Sequence, residues 1–181
     1  MKRSQQLIEQ YKILHETVPS YGSAATFGNR IWHMIEFLKC KTILDYGCGK
    51  GGLIKFLKKK NNQLDVRGFD PAIPEYSDDS VLDNEFDFVV CNDVMEHIPE
   101  CDIGIIINNI FNLTSKGLFF NISCREAAHK LPNGDNCHET VKPKEWWIEI
   151  IAKLSHKHKI IVNEYNENNH NLVLALVKFP G

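Results

Sequence analysis

The sequence lacks several features that would point to a particular class of protein. Its six cysteines form no C-x-x-C pair and no zinc-finger spacing, which argues against a zinc module or a redox pair. No apolar run approaches the roughly 20 residues of a membrane-spanning helix, and the N-terminal residues contain no apolar signal-peptide core. We therefore expect a cytoplasmic protein with no membrane span and with reduced, mostly buried cysteines.

An excess of charge of either sign is also lacking. The chain carries 21 Lys and Arg against 23 Asp and Glu, a formal net charge of −2 at pH 7. Because no global positive field attracts nucleic acid, a dedicated nucleic-acid binder is not expected. No internal repeat or low-complexity segment divides the chain, and its 181 residues fit one domain, 1–181. The sequence leaves the oligomeric state open.

Short apolar runs alternate with segments of helical periodicity, as is typical of a mostly parallel α/β sheet. The last two apolar runs are joined by about six residues, too few for a crossover helix, so they are predicted to pair as an antiparallel hairpin. The predicted strands are 42–46, 65–70, 86–91, 118–123, 159–165 and 172–179.

A glycine-rich turn, Gly47-Cys48-Gly49-Lys50-Gly51, follows the first predicted strand and precedes a helix. Glycine permits a tight turn and lets the backbone approach a ligand without a clash of Cβ atoms. Asp70 ends the second strand 23 residues after Gly47, a position from which a carboxylate can accept both ribose hydroxyls of an adenosine. Together these features indicate a nucleotide-like ligand at the carboxyl ends of the strands.

These motifs resemble those of the class I S-adenosylmethionine-dependent methyltransferases. A dinucleotide site is a poorer match, because the turn reads G-x-G-x-G with an acid, Asp45, two residues ahead. The resemblance implies a single Rossmann-like domain with a seven-stranded, mostly parallel sheet in the order 3-2-1-4-5-7-6. Only 15 residues separate Asp70 from Phe86, so we expect the third strand to be short or missing. The matching segments are Ile43–Gly51, Gly68–Asp70 and Phe86–Ile98.

The resemblance also implies S-adenosyl-L-methionine as the cofactor. Its binding residues would come from the glycine turn, from the strand ends and from an N-terminal helical lid over residues 1–40. These residues are Asp45, Gly47, Cys48, Gly49, Asp70, Pro71, Asn92, Asp93 and Tyr21.

Two histidines are candidates for a catalytic base. His138 lies in a polar substrate-side insert over 124–142, and His97 follows the strand that begins at Phe86. An oxygen nucleophile needs a base that works near neutral pH, which imidazole supplies. We therefore expect O-methylation of a small molecule: a metabolite, a sugar or a lipid-linked precursor.

Two other functions stay open. Asp93, Glu96, His97 and His138 are similar in spacing to the metal ligands of small-RNA 3′-end 2′-O-methyltransferases, where a divalent ion holds vicinal hydroxyls. Because D-x-x-E-H is common without a metal, no metal ligand is predicted and we expect cofactor binding to survive a chelator. The other alternative is a non-catalytic S-adenosylmethionine-binding subunit. Methylation of DNA amino groups is disfavoured, since the N/D-P-P-Y/F segment of those enzymes is missing.

Overall fold

The computed structural model describes residues 3–179, so the first two and last two residues of the predicted 1–181 domain lie outside the described residues. The helices are α1 (Arg3–Thr17), α2 (Gly28–Phe37), α3 (Gly52–Lys60), α4 (Glu100–Asn112) and α5 (Lys144–Leu154). The strands are β1 (Thr42–Tyr46), β2 (Asp65–Phe69), β3 (Phe86–Asn92), β4 (Thr114–Ser123), β5 (His158–Asn166) and β6 (Asn171–Lys178).

The strands form one sheet in the order β2-β1-β3-β4-β6-β5. The first four strands of this order pair in parallel, whereas β6 runs antiparallel to both β4 and β5. The predicted α/β class, the Rossmann-like strand order and the C-terminal hairpin are therefore confirmed. Over residues 3–179 the sheet has six strands rather than seven. The third strand of the seven-stranded order is the one that is missing, as the short spacing between Asp70 and Phe86 led us to expect.

Two 3₁₀ turns, Pro74–Tyr76 and Asp79–Asp83, occupy the chain between β2 and β3. Pro71 and Pro74 lack the backbone N–H that a sheet ladder requires. The Asp78 carboxylate accepts the backbone N–H of Ser80 at 3.0 Å, which closes a local turn. Local turn chemistry thus replaces the third strand, and β2 is left at the edge of the described sheet.

Helices cover both faces of the sheet. Ile31 of α2 and Leu57 of α3 are buried on one face, and Ile107 of α4 and Trp147 of α5 are buried on the other. The residues of β4 from 117 to 123 are consequently all buried, as a strand covered on both faces requires. The sheet therefore forms a rigid base whose carboxyl-end edge is available for a site.

Strand β4 begins earlier than its local sequence suggests. Lys116-Gly117 resembles a turn that would close α4, yet both residues lie inside the strand, which starts at Thr114. A Cβ atom at Gly117 would lie 2.8 Å from Leu38 Cδ1 and 3.2 Å from Phe88 Cε2. Close packing around β4, rather than a turn, explains this glycine.

Helix α1 packs against the segment 124–142 instead of against the sheet. Leu7 and Leu14 of α1 are buried with Leu131 of this segment. The Arg3 guanidinium pairs with Glu139 at 2.7 Å, an exposed contact that adds little to stability on its own. Apolar packing therefore carries most of the attachment of α1.

The cysteines and the helix lengths complete the description of the fold. The six cysteines are free, and Cys40, Cys48, Cys91 and Cys137 are buried. Among residues 3–179, no helix combines the length and the apolar character needed to cross a membrane.

Candidate active site

A cavity of about 740 Å³ opens at the carboxyl ends of β1, β2 and β3, beneath α1 and beside the segment 124–142. This is the edge at which ligands of open α/β sheets bind. All eleven residues predicted for the cofactor and the base line this one cavity. They are Tyr21, Asp45, Gly47, Cys48, Gly49, Asp70, Pro71, Asn92, Asp93, His97 and His138.

The glycine turn adopts a backbone that only glycine tolerates well. Gly47, Gly49 and Gly51 have φ angles of 76°, 51° and 71°, in the left-handed region that strains residues with a Cβ atom. A Cβ atom at Gly47 would also lie 2.3 Å from Cγ2 of Val94. The turn is therefore fixed in shape beside the end of β3.

Asp70 joins the glycine turn to the end of β2. Its Oδ2 accepts the N–H of Gly49 and its Oδ1 accepts the N–H of Ala72, each at 2.9 Å. A carboxylate oxygen has two acceptor positions, so each oxygen keeps one for a ligand hydroxyl. The carboxylate is thus held in place and still able to bind.

Asp45 is buried near the negative charge of Asp70. Burial, together with the negative charge of Asp70, raises the pKa of Asp45 from 3.8 to about 7. The cavity therefore contains a buried carboxyl of raised pKa next to the glycine turn. A cationic ligand group would favour its ionised form.

Asn92 ends β3 and Asp93 follows it, at the floor of the cavity. Asp93 accepts Nδ2–H of Asn121 at 2.7 Å and Nδ2–H of Asn92 at 3.2 Å, and burial raises the pKa of Asp93 to about 6. The buried Oδ1 of Asn92 receives no hydrogen bond from residues 3–179. A buried acceptor without a donor is costly, so this oxygen fits a donor of a bound ligand.

His97 and His138 are oriented alike. His97 Nδ1 lies 2.8 Å from the carbonyl of Cys137, and His138 Nδ1 bonds the carbonyl of Arg125. In both rings Nδ1 must then carry the proton, which leaves Nε2 with a free lone pair. Burial lowers the pKa of His97 to about 4 and lowers the pKa of His138 less far.

Glu96 completes this group. Its Oε1 accepts the N–H of Ser123 at 3.0 Å, while the buried Oε2 has no partner among residues 3–179. Burial, and then the charge of Asp93, raises the pKa of Glu96 to about 8. The ligand atoms of Glu96, His97 and His138 all lie within 4.8 Å of one another. We call these three residues the His–Glu cluster.

Tyr11 is a site residue that the sequence pattern did not single out for function. Its hydroxyl donates to the Cys137 carbonyl at 2.6 Å and lies 3.2 Å from Nδ1 of His97. The helical spacing of α1 marks Tyr11 only as an apolar contact, so nothing in the local sequence reveals this role. Arg125 and His129 also line the cavity, whereas Trp146 and Trp147 do not.

The sequence over residues 23–160 matches the family described as "Methyltransferase domain". No curated protein matches the chain. The matched residues include the glycine turn, the acids Asp45 and Asp70, and the His–Glu cluster.

Solved structures share this fold at low sequence identity. The 1,6-didemethyltoxoflavin-N1-methyltransferase of Burkholderia thailandensis, with 1,6-didemethyltoxoflavin and S-adenosylhomocysteine bound, is 14% identical with a TM-score of 0.67. The match covers 99% of this chain and 91% of that one. Magnesium protoporphyrin IX methyltransferase of Synechocystis PCC 6803, with bound SAM, is 13% identical with a TM-score of 0.60, over 86% of this chain and 79% of that one. The methyltransferase domain of bacterial CtHen1-C is 12% identical with a TM-score of 0.61, over 86% and 98%.

Proposed function

The chain belongs to the methyltransferase domain family, and from this premise we propose that it methylates a hydroxyl oxygen of a small molecule, with S-adenosyl-L-methionine as the methyl donor. The observation that carries the proposal is the His–Glu cluster, which places imidazole lone pairs in the same cavity as the glycine turn. A hydroxyl must lose its proton as it is methylated, and a nearby imidazole is suited to accept it.

The residues at the strand ends fit the cofactor. The glycine turn gives close backbone access, Asp70 keeps an acceptor position on each oxygen, and the buried Oδ1 of Asn92 is unused among residues 3–179. When bound, the cofactor supplies an electrophilic methyl group on a sulfonium. A cationic group of such a molecule would lower the pKa of Asp45 and so favour its carboxylate.

His138 is the better base of the two histidines. A pKa of about 4 makes the His97 imidazole a weak proton acceptor near neutral pH, whereas the pKa of His138 stays closer to its ordinary value. Catalytic efficiency is greatest when the pKa of the base lies near the working pH. We therefore assign proton acceptance to His138 Nε2 and the orientation of the cluster to His97.

The names of the neighbouring structures support a small acceptor, but they do not indicate which of its atoms is methylated. By their names, the Burkholderia and Synechocystis enzymes act on a toxoflavin precursor and on a magnesium porphyrin. The apolar wall formed by Leu7, Ile8, Ile105 and Ile106 suits an acceptor with an apolar body. The preference for oxygen rests on the His–Glu cluster alone.

The test is methyl transfer from isotope-labelled S-adenosylmethionine to a panel of small alcohols, phenols, sugars and amines, starting with ligands that co-purify with the protein. On a hydroxyl acceptor, His138→Ala should lower kcat by roughly 10²–10⁴-fold and abolish one limb of the pH–rate profile. Lys58→Ala, on the exposed side of α3, is the matched control. Full turnover by His138→Ala, or an amine as the only acceptor, would refute the proposal. Cofactor binding without any turnover would instead indicate a non-catalytic subunit.

A second candidate is O-methylation assisted by a divalent ion. Among residues 3–179, the cluster has one carboxylate oxygen without a partner and two imidazole Nε2 atoms whose rings are held by backbone carbonyls. A carbonyl that accepts the other ring N–H is typical of metal-binding histidines. An ion on these residues would suit an acceptor with vicinal hydroxyls, such as the ribose at an RNA 3′ end. Asp93 is not part of this set, since the ligand atoms that lie within 4.8 Å of one another are those of Glu96, His97 and His138.

Metal content separates the two candidates. We retain the expectation that cofactor binding and activity survive EDTA. Manganese binding, followed by electron paramagnetic resonance, should then be weak and unaffected by Glu96→Gln. One tightly bound ion per chain, lost in Glu96→Gln and accompanied by EDTA-sensitive transfer to a vicinal diol, would establish the second candidate in place of the first.

A further inference from the structure

Lys50 lies in the glycine turn but does not line the cavity. Its Nζ donates to the carbonyl of Pro19 at 2.9 Å and to the carbonyl of Val18 at 3.2 Å, just beyond the last residue of α1. Its backbone N–H donates to the carbonyl of Gly22 at 2.7 Å. One residue of the turn therefore makes three hydrogen bonds to the segment that leaves α1.

The segment that leaves α1 lies directly against the glycine turn. A Cβ atom at Gly49 would be 2.4 Å from the carbonyl oxygen of Gly22, and one at Gly52 would be 2.2 Å from that of Ser23. An added Cβ atom would clash at both positions, so the two backbones pack closely there. This packing holds residues 22–23, whereas the Lys50 Nζ contacts to Val18 and Pro19 hold the chain directly after α1.

The rest of α1 covers the acceptor side of the cavity. Leu7 and Tyr11 line it. The Tyr11 hydroxyl donates to the carbonyl of Cys137, which also accepts a hydrogen bond from His97. Since α1 is a continuous 15-residue helix, contacts at its C-terminal end help to hold it over the His–Glu cluster, together with the apolar packing of Leu7 and Leu14. A cation is well placed there, because the carbonyls at a helix C-terminus carry partial negative charge.

We propose that Lys50 is a positioning residue that ties the C-terminal end of α1 to the glycine turn, so that a cofactor bound to the turn also stabilises α1 over the acceptor side of the cavity. This rests on the proposed function only in taking the space beneath α1 as the acceptor site. Lys50 acts through α1 and touches neither reactant.

Hydrogen–deuterium exchange tests this without any acceptor. S-adenosylhomocysteine at about 100 times its Kd should slow exchange of the α1 amides by about tenfold in the wild-type protein. In Lys50→Met the ligand should bind within about threefold of wild type, yet slow α1 exchange by less than twofold. Lys50→Arg, which restores the cation, should recover the protection, and Lys58→Met on α3 should behave as wild type.

Equal ligand-dependent protection of α1 in Lys50→Met and wild type would overturn the proposal. So would wild-type protein in which the ligand protects the glycine turn but leaves α1 unchanged. If Lys50→Met fails to fold, Lys50→Gln takes its place in the same comparison. Since only S-adenosylhomocysteine is used, a wrong assignment of the acceptor oxygen leaves this result unaffected, and failure of the ligand to bind wild type would count against the cofactor instead.

Discussion

The Asp45 carboxyl makes the stability of the folded protein depend on pH. Burial and the Asp70 charge raise its pKa from 3.8 to about 7. Between pH 3.8 and about pH 7, the folded state therefore keeps a proton on Asp45 that the unfolded chain has released. Stability then falls as pH rises through this window, and the destabilisation is complete above pH 7. Asp45→Asn removes the titrating group while keeping its size, so its stability should lack this component.

Between pH 5 and pH 7 the expected difference is about 2 kcal/mol, because each pKa unit corresponds to about 1.4 kcal/mol. The assay is urea unfolding of wild type and Asp45→Asn at both pH values, without cofactor. With an m-value of about 2 kcal/mol/M, the wild-type midpoint should drop by about 1 M more than that of the variant. Titrating groups that do not interact with Asp45 cancel in this double difference. Equal drops in the two proteins would refute the raised pKa.

Three further outcomes follow from the same site. S-adenosylhomocysteine at about 100 times its Kd should stabilise the fold by roughly 2.7 kcal/mol, seen as a melting shift of about 5–10 °C, and NAD should give none; the reverse pattern would exclude a methyltransferase site. Asp70→Ala should weaken S-adenosylhomocysteine binding at least tenfold in calorimetry and also lower stability by about 1–3 kcal/mol, because the N–H groups of Gly49 and Ala72 lose their acceptor. Unchanged affinity would remove Asp70 from the site. Tyr11→Phe should lower kcat by about tenfold with cofactor affinity unchanged, since the contacts of the hydroxyl to the Cys137 carbonyl and to Nδ1 of His97 are lost; unchanged kcat would make these contacts purely structural.

The sheet could be predicted where local sequence and tertiary environment agree. Strand β1 and the β5–β6 hairpin are short apolar runs bounded by turns, and the structure places them within a residue or two of the expected bounds. The start of β4 was missed because Gly117 reads locally as a turn, while its real cause is the close approach of Leu38 and Phe88. Such packing is invisible to a local pattern.

The candidate site, too, could be predicted from the sequence only in part. The glycine turn and Asp70 were identifiable because strand order alone brings strand ends to one edge of a parallel sheet. Tyr11 reaches a carbonyl 126 residues away in the sequence, and Asn121 bonds Asp93 across neighbouring strands. Contacts at such separations depend on the completed fold, so composition and periodicity carry no sign of them. The spacing of Glu96, His97 and His138 was visible, but not their convergence.

The reversed direction of β6 affects how this enzyme could acquire new acceptors. Because β6 is antiparallel to β4, it starts at the edge where β4 ends, and the carbonyl of His170 accepts the N–H of Cys124 at 2.8 Å. The hairpin turn and the segment 124–142 therefore share one rim of the cavity. Lengthening a surface loop costs only about 0.6 kcal/mol per doubling of its length. Insertions at either place could thus reshape the entrance during evolution or engineering, while every strand pairing beneath stays intact.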